Sequence, residues 1–161
     1  MIKRLIFILG FSLVFALSAC GDPVQDDLLN YINNEVKALE ELENEAVTEY
    51  DSVIGENYVD DETTYIHIQD VVIPKYRKLI EKLEEIRPET KEVREIHELY
   101  IEASNMQFNG IVTVLAAIDA QDYDKINEAN QILNEGRELM RQTLNEIEDL
   151  AKEHNVTLTD Q

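Results

Sequence analysis

The chain is poor in the residues that carry covalent and redox chemistry. Its 161 residues include one cysteine, no tryptophan, three prolines and five glycines. A single cysteine cannot form a disulfide within the chain, and it excludes dithiol exchange and cysteine-rich metal sites. We therefore expect side-chain packing, not covalent cross-links, to stabilise the fold.

Sequence motifs that mark enzymes and cofactor sites are also absent. There is no Gly-x-Ser-x-Gly, no phosphate loop and no Gly-x-Gly-x-x-Gly. None of the three histidines (His67, His97 and His154) has a glutamate three residues before it, as di-iron bundles require. Each histidine is predicted to lie at the surface or at a boundary. The sequence predicts a non-enzymatic protein without a cofactor or a resident metal.

The N-terminal segment has the parts of a secretory signal peptide. Lys3 and Arg4 give it a basic start, and residues 5–17 form a largely apolar run. A membrane-spanning helix needs roughly twenty apolar residues, so this run is too short to be a permanent anchor. The alternative is a buried core helix, which leaves the basic start and the small residues before Cys20 unexplained.

The segment ends in Leu17-Ser18-Ala19-Cys20, which resembles the lipobox of bacterial lipoproteins. The resemblance implies cleavage of residues 1–19, a diacylglyceryl thioether on Cys20 and, in many cases, acylation of the new amino terminus with a fatty acid such as palmitate. It also implies that the protein is held on the outer side of the cell membrane. Cys20 is thus the predicted lipidation site.

Residues 20–161 are predicted to form one acidic domain. They carry 12 basic and 34 acidic residues, which gives a formal net charge of −22. This charge repels nucleic acid and an anionic headgroup layer. We therefore expect no nucleic-acid partner, and we expect membrane attachment to depend on the lipid.

Apolar residues recur every three or four positions in four segments, which predicts four amphipathic helices. The predicted helices span residues 23–54, 60–86, 88–120 and 122–154. Asp22 and Asp122 are expected to cap the first and fourth helices, and the acids that begin with Asp60 are expected to open the second. Pro74 is expected to kink the second helix. Long helices with short connections favour an all-α fold, specifically an antiparallel four-helix bundle with up-down-up-down topology. Heptad spacing also occurs in coiled coils, so monomer and dimer both remain open.

One predicted layer of the bundle lacks apolar side chains. Glu43, His67, Gly110 and Gly136 fall at nearly the same height when helical rise is counted. In one interpretation the glycines allow close helix approach and Glu43 rotates outward beside Leu42. In the other, Glu43 and His67 line a small polar cavity and contact a ligand or a metal ion.

Two charge patterns also have alternative interpretations. Residues 74–94 hold seven bases and five acids, which either balance the acidic first helix or dock a partner or phosphate headgroups. Residues 103–118 carry no charge, which predicts the most buried part of the third helix. The amides within residues 104–109 are alternatively an outer face that meets another protein.

The sequence favours a lipid-anchored extracytoplasmic protein that acts through contacts with an unidentified envelope protein. Only Gly21 and Asp22 separate Cys20 from Pro23, so the domain is expected to stand close to its membrane. A small-ligand or metal-binding lipoprotein, using Glu43 and His67, is the alternative. In general form the chain is similar to small helical lipoproteins of Gram-positive bacteria.

Overall fold

The computed structural model describes residues 15–16 and 21–159 of the chain, and helices dominate it. The prediction of an all-α fold is confirmed. The four helical segments are α1 (residues 23–51), α2 (residues 61–83), α3 (Lys91–Ala120) and α4 (Tyr123–Glu153).

Helix α1 changes its hydrogen-bonding pattern along its length. It is α-helical over Pro23–Asn30, π-helical over Tyr31–Val36, 3₁₀ over Lys37–Leu39 and α-helical again over Glu40–Asp51. The irregular part is rich in asparagine, a poor helix former whose amide competes for hydrogen bonds. Asn34 Nδ2 donates to Asn30 Oδ1 at 2.9 Å.

The start of α1 is confirmed, but its end is earlier than predicted. Asp22 accepts hydrogen bonds from the backbone N–H groups of Val24 and Gln25, at 3.0 and 3.3 Å. The helix ends at Asp51 instead of residue 54, and a 3₁₀ turn follows at Gly55–Asn57. Gly55 has φ +60°, a conformation that glycine adopts without strain.

Helix α2 is disturbed at the predicted place. It is α-helical over Asp61–His67, π-helical over Ile68–Val72 and α-helical over Ile73–Leu83. The π-helical turn lies directly before Pro74, which lacks an N–H group and crowds the preceding turn. The cap is Asp60, whose Oδ1 accepts from the N–H of Thr63 at 2.7 Å.

The connection between α2 and α3 is longer than the sequence predicts. Helix α2 ends at Leu83 instead of residue 86, and α3 begins at Lys91 instead of residue 88. Pro88 lies within this connection and disfavours helical geometry in Arg87, the residue before it.

Helices α3 and α4 form the most extensive pairing in the molecule. A Cβ atom on Gly110 would lie 2.6 Å from Leu133 Cγ, and one on Gly136 would lie 3.1 Å from the backbone nitrogen of Gln107. These contacts pair later residues of α3 with earlier residues of α4, so the two helices run antiparallel. Asp122 caps α4, as predicted, by accepting from the N–H groups of residues 124 and 125.

The buried apolar side chains form two clusters along the helices. The first lies beside the start of α1 and includes Leu28, Tyr31, Leu83, Tyr100 and Ile147. The second lies at the opposite end and includes Tyr50, Ile68, Tyr76, Ile111 and Leu133. The core therefore runs the length of the helices.

A two-residue antiparallel pair accompanies the helices. Strand β1 (Phe15–Ala16) pairs with strand β2 (Val156–Thr157), with residue 15 opposite residue 157. The cleavage implied at Cys20 would remove β1 from the mature chain. Among the described residues, no helix combines the length and apolar character needed to cross a membrane.

Candidate functional site

The predicted lipidation site, Cys20, and most of residues 1–19 lie outside the described residues. The described part of the chain resumes at Gly21, and the start of α1 is hydrogen-bonded to the end of α4. Asp22 Oδ2 lies 2.7 Å from His154 Nδ1, and Gln25 Nε2 donates to the carbonyl oxygen of His154 at 2.6 Å. The hydrogen bond from His154 is the main cause of a lowered pKa at Asp22. The end of the domain that follows the predicted lipidation site is therefore held by hydrogen bonds between α1 and the end of α4.

Asp27 adds a second tie at the same end of the molecule. Its carboxylate is buried and accepts from the N–H groups of Glu89 and Thr90, at 3.1 and 2.7 Å, and from Thr90 Oγ1 at 2.6 Å. Thr90 makes no side-chain cap for α3, and its hydroxyl instead donates to Asp27, which thereby holds the two residues that lead into this helix. Sequence reasoning missed this role, because nothing in the local pattern pairs residue 27 with residue 90.

Glu43 lies inside the molecule, so the interpretation that it rotates outward is wrong. Its residue surface is 5% exposed, and one carboxylate oxygen accepts a hydrogen bond from Tyr100 Oη at 3.0 Å. Burial first, and the neighbouring Glu43 charge second, raise the pKa of Tyr100 well above its usual range. The same two causes contribute to the raised pKa values of Tyr31 and Tyr76. The Tyr100 hydroxyl therefore helps to compensate the cost of burying a carboxylate.

His67 faces a different part of α1. Its Nε2 atom lies 2.9 Å from Glu49 Oε2 and 3.5 Å from Ser52 Oγ. Glu49 follows Glu43 by six residues, or about 9 Å of helical rise. The hydrogen bonds thus place Glu43 at Tyr100 and His67 at Glu49, and they do not bring the two predicted ligand-binding residues together.

The two glycines of the predicted layer serve helix packing, because a Cβ atom at Gly110 or Gly136 would collide with the facing helix. A crevice of about 70 Å³ lies beside them and is lined in part by Tyr50, Gln107 and Arg137. Typical small-molecule pockets measure about 300 to 1,000 Å³, so this crevice has room for water but not for an organic ligand.

His97 is buried, contrary to the prediction that it lies at the surface. It is 4% exposed. His97 Nε2 lies 3.0 Å from the carbonyl oxygen of Leu83, and Nδ1 lies 3.1 Å from Tyr31 Oη. A carbonyl oxygen only accepts, so the Nε2–H donates to it and Nδ1 accepts from the tyrosine hydroxyl. This arrangement fits a neutral imidazole, and burial lowers the pKa of His97.

We expect acid to destabilise the fold through His97. A histidine with a lowered pKa in the folded state stabilises the fold fully above its unfolded pKa of about 6.5. This contribution is lost as the pH falls through the lower folded value, with a slope of at most about 1.4 kcal/mol per pH unit for one proton. Urea unfolding between pH 7.5 and 5.5 measures the slope. The His97→Gln variant should show a flatter dependence, and an equal slope in both proteins would contradict the assignment.

We call the end of the molecule opposite the start of α1 the distal end. Its surface exposes large apolar side chains. There α1 and α3 finish and α2 and α4 begin. The large apolar side chains that are exposed among the described residues all lie within about 12 Å of it, by helical rise. This distal apolar patch consists of Tyr58, Val59, Ile66, Val112 and Tyr123. Val59 is 74% exposed and Tyr123 is 86% exposed.

The segments that form the distal end are rich in acidic residues. Residues 51–62 and 117–126 together hold eight acids and one base, Lys125. This acidic ring consists of Asp51, Glu56, Asp60, Asp61, Glu62, Asp119, Asp122 and Asp124. Tyr58 Oη donates to Asp61 Oδ1 at 2.9 Å, and this bond is the main cause of a raised pKa at Tyr58. Tyr123 makes a smaller contribution to that shift.

The uncharged part of α3 is only partly buried. Its inner face is buried, as predicted, but Asn109, Val112 and Ala116 are exposed on its outer face. An uncharged strip of α3 therefore continues from the distal apolar patch along the side of the molecule.

The basic segment of residues 74–94 is largely paired within the molecule. Lys75 Nζ lies 2.7 Å from Glu45 Oε2, and Arg94 donates to the carbonyl oxygens of Pro88 and Glu89. Lys82, Arg87 and Lys91 also have partners close in sequence. These contacts favour the interpretation that the segment balances charge inside the protein.

Metal-ligating side chains do not cluster in the part of the chain that the structure describes: no group of three or more His, Cys, Asp or Glu residues could hold an ion there. His67, His97 and His154 instead lie in three separate places, each with its own hydrogen-bond partner.

Comparison with known proteins gives one informative match. A family model described as "EMYY-motif containing lipoprotein" matches residues 1–159. The letters Glu-Met-Tyr-Tyr do not occur consecutively in this sequence, although Glu98-Leu99-Tyr100-Ile101 and Glu56-Asn57-Tyr58-Val59 share the first and third. No curated protein and no solved structure matches the chain significantly.

Proposed function

Since this chain belongs to the family of EMYY-motif containing lipoproteins, it is a lipid-anchored extracytoplasmic protein, and we propose that it acts there through contacts with another protein, without catalysis. The lipid is placed on Cys20, the cysteine of the lipobox-like Leu17-Ser18-Ala19-Cys20. The family match includes this segment together with the helical domain. A Gram-positive cell membrane is the location we propose.

The arrangement that we propose for the helices is an up-down-up-down four-helix bundle standing on the membrane. Antiparallel neighbours support it: Glu45 of α1 meets Lys75 of α2, and Leu83 at the end of α2 meets His97 near the start of α3. Only two residues separate Cys20 from the start of helix α1, so the anchored end is fixed close to the bilayer. The distal end then points away from it.

One observation carries the proposal of protein contacts, namely the position of the distal apolar patch. Soluble surfaces rarely group exposed apolar side chains unless the group binds something. Here the group lies at the end farthest from the anchor. The histidines also support a non-enzymatic role. His67, His97 and His154 each make hydrogen bonds that join different segments of the chain, and these bonds stabilise the fold.

Chemical cross-linking in intact cells tests this function. Formaldehyde treatment of cells that carry the anchored chain should give an adduct of fixed mass that contains one copy of this protein and a different protein. The Cys20→Ala chain is the control, because a protein that has left the membrane should form less of the adduct. Absence of any such adduct under several growth conditions would contradict the proposal.

A further inference from the structure

We propose that the distal end is a docking surface for a cationic extracytoplasmic protein, with the distal apolar patch in an apolar pocket of the partner and the acidic ring against its lysine and arginine side chains. This inference rests on the proposed function and names the kind of partner that it requires.

The aromatic residues give the surface its binding capacity. Tyr58 is 50% exposed and Tyr123 is 86% exposed, and both lie in the connections that form the distal end. Tyrosine is enriched at the centres of protein interfaces, because its ring buries a large area at small conformational cost and its hydroxyl still finds a partner. Val59, which follows Tyr58 and is 74% exposed, adds an aliphatic group to this surface.

The charge around the patch selects the partner. Eight acids and one base lie in the segments that form the distal end, and complementary potentials steer association and reject partners of like charge. A second copy of this chain would bring an equal set of acids against the first. Anionic lipid and nucleic acid are repelled for the same reason. A protein surface that has lysine and arginine side chains around an apolar pocket complements both the acidic ring and the distal apolar patch.

Geometry limits where this partner can be. Helix α1 contains 29 residues, which corresponds to a length of about 43 Å. Its first residue lies three positions after Cys20, so the distal end stands at roughly this height above the bilayer. The partner is therefore either secreted or part of a membrane protein whose extracytoplasmic domain reaches that level.

Several carboxylates of the acidic ring also make hydrogen bonds that stabilise the fold. Asp60 and Asp122 cap α2 and α4, and Asp61 accepts from Tyr58. Glu62 and Asp119 are exposed and have no such structural role in the hydrogen bonds described above. These two are the positions at which charge can be removed with the least effect on the fold.

Site-specific photo-cross-linking tests the docking surface in the anchored full chain. Replacing Tyr123 with p-benzoylphenylalanine keeps an aromatic ring at this exposed position. Irradiation of intact cells should link it to another protein, and the linked peptide should be rich in lysine or arginine. In the same chain, the additional substitutions Glu62→Gln and Asp119→Asn should lower the yield of the cross-linked product about threefold or more, because these carboxylates steer the partner. Adding Tyr58→Ser and Val59→Ser should lower it as well.

A matched pair of substitutions controls for the loss of charge. Glu146→Gln and Glu153→Gln remove the same two charges from exposed positions on α4 near the anchored end, and they should leave the yield unchanged. Circular dichroism of each variant checks that the helices persist. Equal yields in the distal and control pairs would overturn the inference, as would a linked peptide that is acidic or that comes from a second copy of this chain.

The outcomes separate this inference from the proposed function. If p-benzoylphenylalanine at position 123 gives no adduct but the same residue at Asn109 does, the protein acts through contacts on the side of α3 and the docking surface is wrong. If neither position nor formaldehyde gives an adduct with another protein, both proposals fail.

Discussion

Replacing Cys20 with alanine is expected to move the protein from the membrane fraction to the soluble fraction, with at least a tenfold change in the ratio of the two. Each buried methylene of a lipid chain contributes about 0.8 kcal/mol to membrane binding, so two chains hold a protein stably. The protein has no electrostatic substitute for them, because residues 20–161 carry a formal net charge of −22. Fractionation of cells and immunoblotting measure the ratio, and mass spectrometry of the wild-type amino terminus measures the added lipid.

Ser18→Ala is the matched control for this experiment. It changes a neighbouring small residue of Leu17-Ser18-Ala19-Cys20 to another small residue and leaves the cysteine in place. This variant should remain in the membrane fraction. A Cys20→Ala protein that stays with the membrane to the same extent would contradict lipidation as the means of attachment.

Replacing Gly110 with valine is expected to lower the free energy of unfolding by about 2 to 3 kcal/mol. Even a Cβ atom at this position would lie 2.6 Å from Leu133 Cγ and 3.2 Å from the backbone nitrogen of Leu133. The side chain of Leu133 is itself buried, so α3 and α4 must separate to make room. Valine is a better helix former than glycine, but that gain is below about 1 kcal/mol. Urea unfolding followed by circular dichroism measures the loss, which corresponds to roughly 5 to 10 °C in Tm.

Ala116→Val tests whether the loss arises from the close approach of the helices. Ala116 lies on the exposed face of α3, so the two added methyl groups enter solvent and the change should stay within about 0.5 kcal/mol. A similar loss in the two variants would show that β-branching in α3, and not contact with Leu133, is the cause.

The number and limits of the helices could be predicted because they depend on local features. Apolar periodicity identified all four segments, and Asp22, Asp60 and Asp122 were recognised as the residues that begin three of them. The ends were harder, because a helix end depends on what packs against it. Helices α1 and α2 each end three residues earlier than periodicity alone predicts.

The interior polar groups could not be predicted, because their partners come from other helices. Helical rise gives the height of a residue but not the direction in which it points. The π-helical turn of α1 changes that direction, and Leu28 is fully buried whereas its neighbour Leu29 is only partly buried. Glu43 was expected either to rotate outward or to line a polar cavity with His67, and its hydrogen bond to Tyr100 was not foreseen. His97 was likewise assigned to the surface because neither Tyr31 nor the Leu83 carbonyl is close to it in sequence.

The position of Asp27 has a consequence for how the protein matures during export. An exported chain leaves the membrane with its amino-terminal part first, so α1 is outside before α3 has crossed. Asp27 binds the backbone at residues 89 and 90, and Gln25 binds the carbonyl of His154. The first partner is available only after about half of residues 20–161 have been secreted, and the second only after nearly all of them. The first helix therefore cannot complete its contacts alone, and we expect the newly exported protein to be sensitive to envelope proteases until α4 arrives.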